Sequence, residues 1–132
     1  MKFSQTVSYA LQAILQLAEA NSDAPVPCSR LAERGRMPER FLLQILRNLV
    51  TKGILRSTRG VDGGYTLVRS PDEITLLDLV EAIEGPLLPG DPVSETFAEP
   101  IRGKLDHLLA EVNGGIREKL QSVSITQFTQ TG

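Results

Sequence analysis

Two arginines and a glutamine stand at helical spacing between Pro38 and Lys52. Residues three or four apart share one face of a helix, so one face would carry Arg40, Gln44, Arg47 and Thr51. Arginine and glutamine form paired hydrogen bonds with guanine and adenine edges in a major groove. The pattern therefore predicts a helix whose outer face reads bases.

The opposite side of this helix is apolar and predicts a buried stripe. Its apolar residues recur at i, i+3, i+4 and i+7, namely Leu42, Ile45, Leu46 and Leu49. Pro38 suits the first helical turn, where a missing N–H has no consequence, and Gly53 suits the C-terminal cap. A recognition helix requires one buried apolar face and one exposed polar face.

The residues around this helix predict a helix-turn-helix followed by a hairpin. A short helix opens at Cys28 and ends at Gly35, before the turn that leads into the second helix. Two β-prone runs then flank a loop with three glycines, residues 59–64. Such a hairpin is the wing of a winged helix, and Arg59 stands at its tip, from where it can enter a narrow minor groove.

The formal net charge of −2 conceals a strong asymmetry along the chain. Residues 30–69 hold nine Arg or Lys and three Asp or Glu, a local charge of +6, whereas residues 70–132 hold four against eleven, a local −7. A basic segment on an acidic body is the electrostatic footprint of binding to a phosphate backbone. A solvated surface with chance clustering is the alternative that the count leaves open.

Helices are also predicted on both sides of the basic segment. The first covers residues 3–20 with Ser4 as its N-cap, and another covers residues 76–84 with Thr75 as its N-cap. Side chains in and beside these elements can hold phosphates. The candidate phosphate contacts are Ser4, Gln5 and Arg30, and Arg56 is a further candidate DNA contact.

A long helix is predicted from Ile101, with an apolar stripe longer than the first core needs. The stripe consists of Ile101, Leu105, Leu108, Val112, Ile116 and Leu120. Its length favours dimerisation between two copies, although a helix folded back on its own domain would show the same periodicity. Gly114 and Gly115 each lower helix stability by about 1 kcal/mol relative to alanine, so a kink or break is expected there.

Together these elements predict a mainly α fold with a small β-hairpin wing, a winged helix-turn-helix plus a long C-terminal dimerisation helix. The predicted boundaries are 1–85 for the DNA-binding domain, 86–100 for a Pro-rich connecting loop, and 101–132 for the dimerisation helix with a β-prone tail. No apolar run approaches membrane-spanning length and no signal peptide is visible. A cytoplasmic protein without membrane contact is therefore expected.

Four runs of this sequence resemble the Rrf-two family of bacterial winged-helix transcription regulators (IscR/NsrR/CymR-like). They are SYALQAILQLA (8–18), FLLQILRNLVTKGIL (41–55), RSTRGVDGGYTLVR (56–69) and ITLLDLVEAIEG (74–85). In addition, VSITQF (123–128) resembles the C-terminal segment of the family. The resemblance implies a homodimeric, sequence-specific regulator of transcription, expected to be a repressor. It implies base and backbone contacts for Arg40, Phe41 and Gln44, and a wing arginine at Arg59.

Two departures from the family limit what the resemblance implies. Many members carry Leu-Glu-Gln in the recognition helix, where this chain has leucine at position 43. Glutamate accepts from cytosine N4, whereas leucine contacts only apolar groups such as a thymine methyl, so known operators do not transfer. Iron–sulfur members carry three cysteines in the loop before the long helix, but residues 85–100 have none, so no cluster and no other cofactor is expected.

The residues that could carry other chemistry are few. Cys28 is the only cysteine and a candidate redox sensor, because a helix N-terminus and nearby Arg30 can lower a thiol pKa; a small buried apolar residue is the alternative. His107 has no second ligand at useful spacing, so no metal site is predicted. No nucleophile–base pair or paired carboxylates stand out, so an enzyme is not expected.

The sequence leaves open one alternative function and the identity of the regulating signal. Winged helices also serve as protein–protein interaction modules without direct DNA readout, although such a module would not need the +6 segment. The open question is the signal. An unknown effector or partner protein could bind near the Pro-rich loop and shift the two recognition helices, because dimer spacing sets half-site fit.

Overall fold

The computed structural model describes residues 3–20, 24–87 and 95–129. The middle of the predicted Pro-rich loop, residues 88–94, lies outside this described part. The elements, in chain order, are helices α1 (Gln5–Ala20), α2 (Cys28–Gly35) and α3 (Glu39–Thr51), strands β1 (Leu55–Thr58) and β2 (Gly64–Leu67), a 3-10 turn (Pro71–Glu73), helices α4 (Leu76–Glu84) and α5 (Ile101–Gln121), and a second 3-10 turn (Ile125–Phe128).

The core lies where α1, α2, α3 and α4 pack together with β1. The predicted stripe of α3 is confirmed, since each of its four side chains is at most 2% exposed. From α1 the core receives Val7, Ala10, Ala13 and Ile14. Each of these helices has one apolar face, and burying those faces against one another removes them from water. The fold is thus a winged helix-turn-helix with the mainly α composition that the sequence predicts.

The ends of α3 are fixed by local backbone chemistry. Pro38 is the N-cap in an extended conformation (φ −61°, ψ 122°) rather than a residue of the first turn, so the predicted start is one residue too early. At the other end Gly53 adopts φ +78°. The N–H of Gly53 donates to Val50 O at 3.0 Å and that of Ile54 to Leu49 O at 3.0 Å, a Schellman motif. This turn sends the chain directly into the hairpin.

Helix α4 has the predicted bounds and the predicted cap. Thr75 Oγ1 accepts from the N–H of Asp78 at 3.1 Å, and Asp78 Oδ2 accepts from the N–H of Thr75 at 3.1 Å. These reciprocal bonds form a capping box that satisfies two donors at the helix start. Asp78 Oδ2 also lies 3.1 Å from Arg69 Nη2, which ties the end of the hairpin to α4.

The tail after α5 returns to the domain instead of forming a strand. The N–H of Ile125 donates to Ile74 O at 2.8 Å, and that of Leu76 donates to Val123 O at 2.9 Å. Thr75 and Ser124 form a single antiparallel bridge, and a 3-10 turn follows. Ile125 is fully buried. The predicted β tendency is therefore realised as one bridge that anchors the tail beneath α4.

Helix α5 is continuous through Gly114 and Gly115, so the predicted break there is wrong. The helix has 21 residues and is about 32 Å long. Within it only Leu120 is buried, whereas Ile101, Leu108 and Val112 are 57%, 54% and 49% exposed. Three of the six side chains of its apolar stripe are thus exposed, whereas Leu105 and Ile116 are partly buried. Within the described residues, no helix is long and apolar enough to span a membrane.

Candidate nucleic-acid interface

The outer face of α3 carries the four predicted side chains in exposed positions. Arg40, Gln44 and Arg47 are all exposed, and Thr51 lies one turn beyond Arg47. The Thr51 hydroxyl donates to Arg47 O at 3.0 Å, a bond that engages its only proton. The packed stripe behind α3 fixes the direction of this face, because core side chains occupy single rotamers. The arginines and the glutamine are therefore presented outward from a rigid support.

Phe41 stands beside this face and is held by α1. Its ring is 44% exposed, and its centroid lies 5.9 Å from that of Tyr9 at an interplanar angle of 79°. This edge-to-face geometry is favourable for aromatic pairs. The Tyr9 hydroxyl in turn accepts from Gln5 Nε2 at 2.9 Å. Sequence reasoning missed Tyr9, because only the tertiary packing of α1 on α3 brings the two rings together.

The wing is a two-stranded antiparallel hairpin. Leu55 pairs with Leu67 at its base and Thr58 pairs with Gly64 near its tip. The loop between the strands carries Arg59 and Val61 in exposed positions, and the Val61 side chain has no protein cover. An arginine at the exposed tip of such a loop, next to an exposed apolar residue, can reach into a DNA minor groove.

The wing is anchored to the loop that precedes α2. The N–H of Val26 donates to Tyr65 O at 3.0 Å, and that of Tyr65 donates to Val26 O at 2.9 Å. Gly64 makes this approach possible, since a Cβ on it would lie 2.5 Å from Val26 O, and its φ is +152°. Sequence reasoning missed the contact between Tyr65 and Val26. The anchor fixes the position of the wing relative to the helix-turn-helix.

The five arginines predicted to contact DNA are all exposed, and none has a carboxylate partner among the described residues. In the part of the chain that the structure describes, no ion pair involves Arg30, Arg40, Arg47, Arg56 or Arg59. By contrast, Arg69 and Arg117 pair with Asp78 and Glu81. Unpaired surface cations lose little when they meet phosphate oxygens, because they give up no existing salt bridge.

Ser4 is already engaged within the protein. Its Oγ accepts from the N–H of Val7 at 3.1 Å, which confirms the predicted N-cap of α1. The same hydroxyl donates to the carboxylate of Glu84, at the end of α4. The side chain thus links α1 to α4, and a phosphate contact would have to compete with Glu84.

Cys28 begins α2 and lies against the start of α3. Its Sγ donates to Glu39 O at 3.7 Å, and the residue is partly buried. Burial is the larger cause that raises the pKa of the thiol, and the charge of Glu39 raises it further. The expected lowering by the helix N-terminus does not prevail, so the thiolate form is suppressed at neutral pH.

We expect the Cys28 thiol to react slowly with iodoacetamide at pH 7.5. The rate should be lower in the folded protein than in the same protein in urea, because the raised pKa of Cys28 leaves less thiolate. Mass spectrometry of timed samples measures both rates. A folded-state rate that equals or exceeds the rate in urea would contradict this and restore the redox-sensor assignment.

Comparison with known proteins identifies a family to which this chain is similar. Residues 3–131 match the Rrf2 family model, described as an iron-dependent transcriptional regulator. An rrf2-like protein of Rhodobacter capsulatus is 38% identical over 100 residues, which is 74% of this chain and 67% of that protein. An HTH-type protein of Mycobacterium tuberculosis is 42% identical over 87 residues, 66% of this chain but 54% of that protein.

The fold is also that of a solved structure. CymR of Bacillus subtilis, entitled the global cysteine regulator of that organism, superposes with a TM-score of 0.81 at 26% identity, over 100% of this chain and 98% of that one. This chain therefore spans nearly all of CymR, but about half of the Mycobacterium relative.

The residues of this chain do not fit an iron–sulfur centre held by three cysteines. The full sequence has one cysteine, Cys28, which is the first residue of α2 and contacts Glu39 at the start of α3. Across residues 3–20, 24–87 and 95–129, no three His, Cys, Asp or Glu side chains converge in a way that could hold a metal. His107 Nε2 lies 3.0 Å from Glu111 Oε1 on an exposed surface.

Proposed function

Because this chain belongs to the Rrf2 family of transcriptional regulators, we propose that it is a homodimeric, sequence-specific DNA-binding repressor. Regulation of transcription through DNA, rather than catalysis, is common to the relatives that it matches. Beyond this shared function, we propose that the protein is a homodimer, that it contacts both DNA grooves and that it lowers transcription.

The observation that carries the DNA contacts is the set of exposed, unpaired arginines on α3, α2 and the hairpin. In this proposal α3 enters the major groove, where Arg40 and Gln44 contact base edges with Phe41 beside them. Arg59 enters the adjacent minor groove from the wing tip. The remaining backbone contacts come from Arg30, Arg47 and Arg56. Thr51 and Ser4 contribute when their hydroxyls give up the bonds to Arg47 O and to Glu84 and donate to phosphate instead.

Helix α5 supports the homodimer. It presents Ile101, Leu108 and Val112, each about half exposed, in one row along the helix. An exposed apolar row of this kind is typical of an interaction surface. Two copies joined there present two recognition helices, as a palindromic operator requires.

The proposed direction of the effect is repression. A dimer seated on promoter DNA excludes polymerase from the same sequence, without any further surface on the protein. The signal that releases it is not assigned to any residue. In vitro transcription from the upstream promoter, with and without the protein, measures the direction directly, and increased transcript would contradict repression.

The experiment that tests the DNA contacts is fluorescence anisotropy at several salt concentrations. The protein is titrated onto the duplex upstream of its own gene and onto a scrambled duplex of the same composition. We expect tighter binding to the native duplex. The plot of log K against log salt concentration should have a slope of about −5, which corresponds to six arginine–phosphate contacts in a dimer. The Arg59→Ala variant should bind less tightly. Equal, weak binding to both duplexes would contradict direct readout and favour a protein–protein interaction module.

A further inference from the structure

A cavity of about 400 Å³ lies between the end of α1 and the wing. Its lining comes from the last turns of α1, the loop before α2, and the hairpin with the turn that follows it. Small-molecule sites typically have volumes of about 300–1,000 Å³, so this wing cavity is large enough to hold a ligand. None of the α3 side chains assigned to DNA lines it. The wing cavity is therefore separate from the recognition face.

Much of the wall of the wing cavity is apolar. Leu17 is only 7% exposed, and Val26 and Leu67 are partly buried against the core. Ala18 lines the same wall and is partly buried, and its small side chain leaves space beside it. Covering apolar surface removes it from water, which favours a ligand that has an apolar part.

Two guanidinium groups also line the wing cavity. Arg56 is exposed on β1 and makes no ion pair within the described residues. Its cross-strand partner Thr66 lines the cavity as well and carries a hydroxyl. Arg69 Nη2 donates to Glu73 O at 2.5 Å and to Asp78 Oδ2 at 3.1 Å. These two contacts do not use the other nitrogens of the Arg69 guanidinium.

The charges at the wing cavity favour a ligand with a single negative charge. Arg56, Arg69 and the Asp78 carboxylate sum to one positive charge, and no acidic side chain of the described residues lines the cavity. A planar guanidinium binds a carboxylate through two parallel hydrogen bonds. A phosphate dianion would exceed the available charge, and an inorganic anion would leave the apolar wall in contact with water. The chemistry therefore matches an amphipathic monocarboxylate.

We propose that the wing cavity binds a small amphipathic carboxylate that weakens DNA binding. The effect on DNA rests on the proposed function, which assigns Arg56 to the DNA backbone and no residue to the releasing signal. A carboxylate paired with Arg56 neutralises its charge and occupies the donors that would bind phosphate. The ligand also lies against Val26 and Tyr65, whose paired hydrogen bonds fix the position of the wing. By linkage, DNA weakens ligand binding by the same factor.

The first test is isothermal titration calorimetry of the full chain, without DNA, against four probes. Octanoate has both the charge and the apolar body, octanamide has the body alone, and acetate and inorganic phosphate have the charge alone. Octanoate should bind at least about tenfold more tightly than each of the others, because only octanoate satisfies both the arginines and the apolar wall. Absence of octanoate binding, or equal affinity for octanoate and any other probe, would overturn the proposal.

The second test compares Arg56→Gln with Arg59→Gln in the same titration. Both substitutions remove one positive charge from the hairpin, but only Arg56 lines the cavity. Arg56→Gln should raise the dissociation constant for octanoate about fivefold or more, whereas Arg59→Gln should change it little. Equal losses would show that the charge of the hairpin, rather than the cavity, attracts the probe, and would refute the site.

Filling the cavity tests its location without removing a charge. Ala18→Leu places a larger side chain in the space along the apolar wall and should also raise the dissociation constant for octanoate about fivefold or more. Circular dichroism should show that the variant is folded, because leucine is a good helix former and position 18 borders open space. A folded variant that binds octanoate as tightly as the original chain would place the binding site elsewhere.

The last test measures the effect on DNA by fluorescence anisotropy with the native duplex. Saturating octanoate should raise the dissociation constant for DNA about fivefold or more, whereas octanamide at the same concentration should leave it unchanged. Octanoate that binds the free protein but does not change DNA affinity would overturn the regulatory role. A protein that fails to distinguish the native from the scrambled duplex would instead refute the proposed function, while the titrations without DNA would still decide whether the cavity binds a carboxylate.

Discussion

Gly64→Ala is expected to detach the wing and to lower the free energy of unfolding by about 3 kcal/mol, combining about 1–3 kcal/mol for overpacking and a similar amount for backbone strain. The new methyl group would lie 2.5 Å from Val26 O, at a φ of +152° that L side chains rarely adopt. Relief requires loss of the paired hydrogen bonds between Val26 and Tyr65. Urea unfolding followed by circular dichroism measures the loss, and anisotropy should show weaker DNA binding.

Gly60→Ala is the matched control in the same loop. Gly60 also has a positive φ, +110°, but a Cβ there would meet nothing within 4 Å. It therefore reports the backbone strain alone, and its loss of stability should be smaller than that of Gly64→Ala. Equal losses would show that strain, rather than contact with Val26, explains the glycine at position 64.

Arg40→Ala is expected to lower affinity for the operator by about 1–3 kcal/mol and to relax specificity at the base pair that it contacts. The side chain is exposed on α3 and makes no ion pair within the described residues, so its removal should leave stability nearly unchanged. Anisotropy against the native duplex and single-base variants measures both effects. A uniform loss on all duplexes would reassign Arg40 to phosphate.

Arg102→Ala is the control for the loss of one positive charge. Arg102 is exposed on α5, outside the basic segment. Its substitution changes the net charge by the same amount, but it should change affinity little at physiological salt, where charges beyond about 8 Å are screened. If the two variants weaken binding equally, net charge rather than the α3 face determines affinity.

Local patterns were sufficient for the helix-turn-helix. The four apolar side chains of α3 alone indicated its buried side, and Gly53 and Thr75 marked where helices end and begin. These features depend on contacts between residues one to five positions apart, which the sequence displays directly. The same periodicity predicted the exposed positions of Arg40 and Arg47 on α3.

The Gly114–Gly115 pair shows where local reasoning failed. Propensity counts the unfavourable entropy of glycine, but it does not count the hydrogen bonds and neighbouring turns that keep α5 continuous. Cys28 is a similar case, since a helix N-terminus predicts a lowered pKa, whereas burial against the start of α3 raises it.

By itself, the sequence determined the order of the elements, the buried side of α3, the basic wing and the family. Only the tertiary structure decided which distant residues meet: Val26 with Tyr65, Tyr9 with Phe41, and Ile125 with Ile74. Each of these pairs joins segments between 32 and 51 positions apart, so no periodic pattern records it. They meet because the close packing of the helical stripes fixes where the hairpin, the aromatic rings and the tail lie relative to one another.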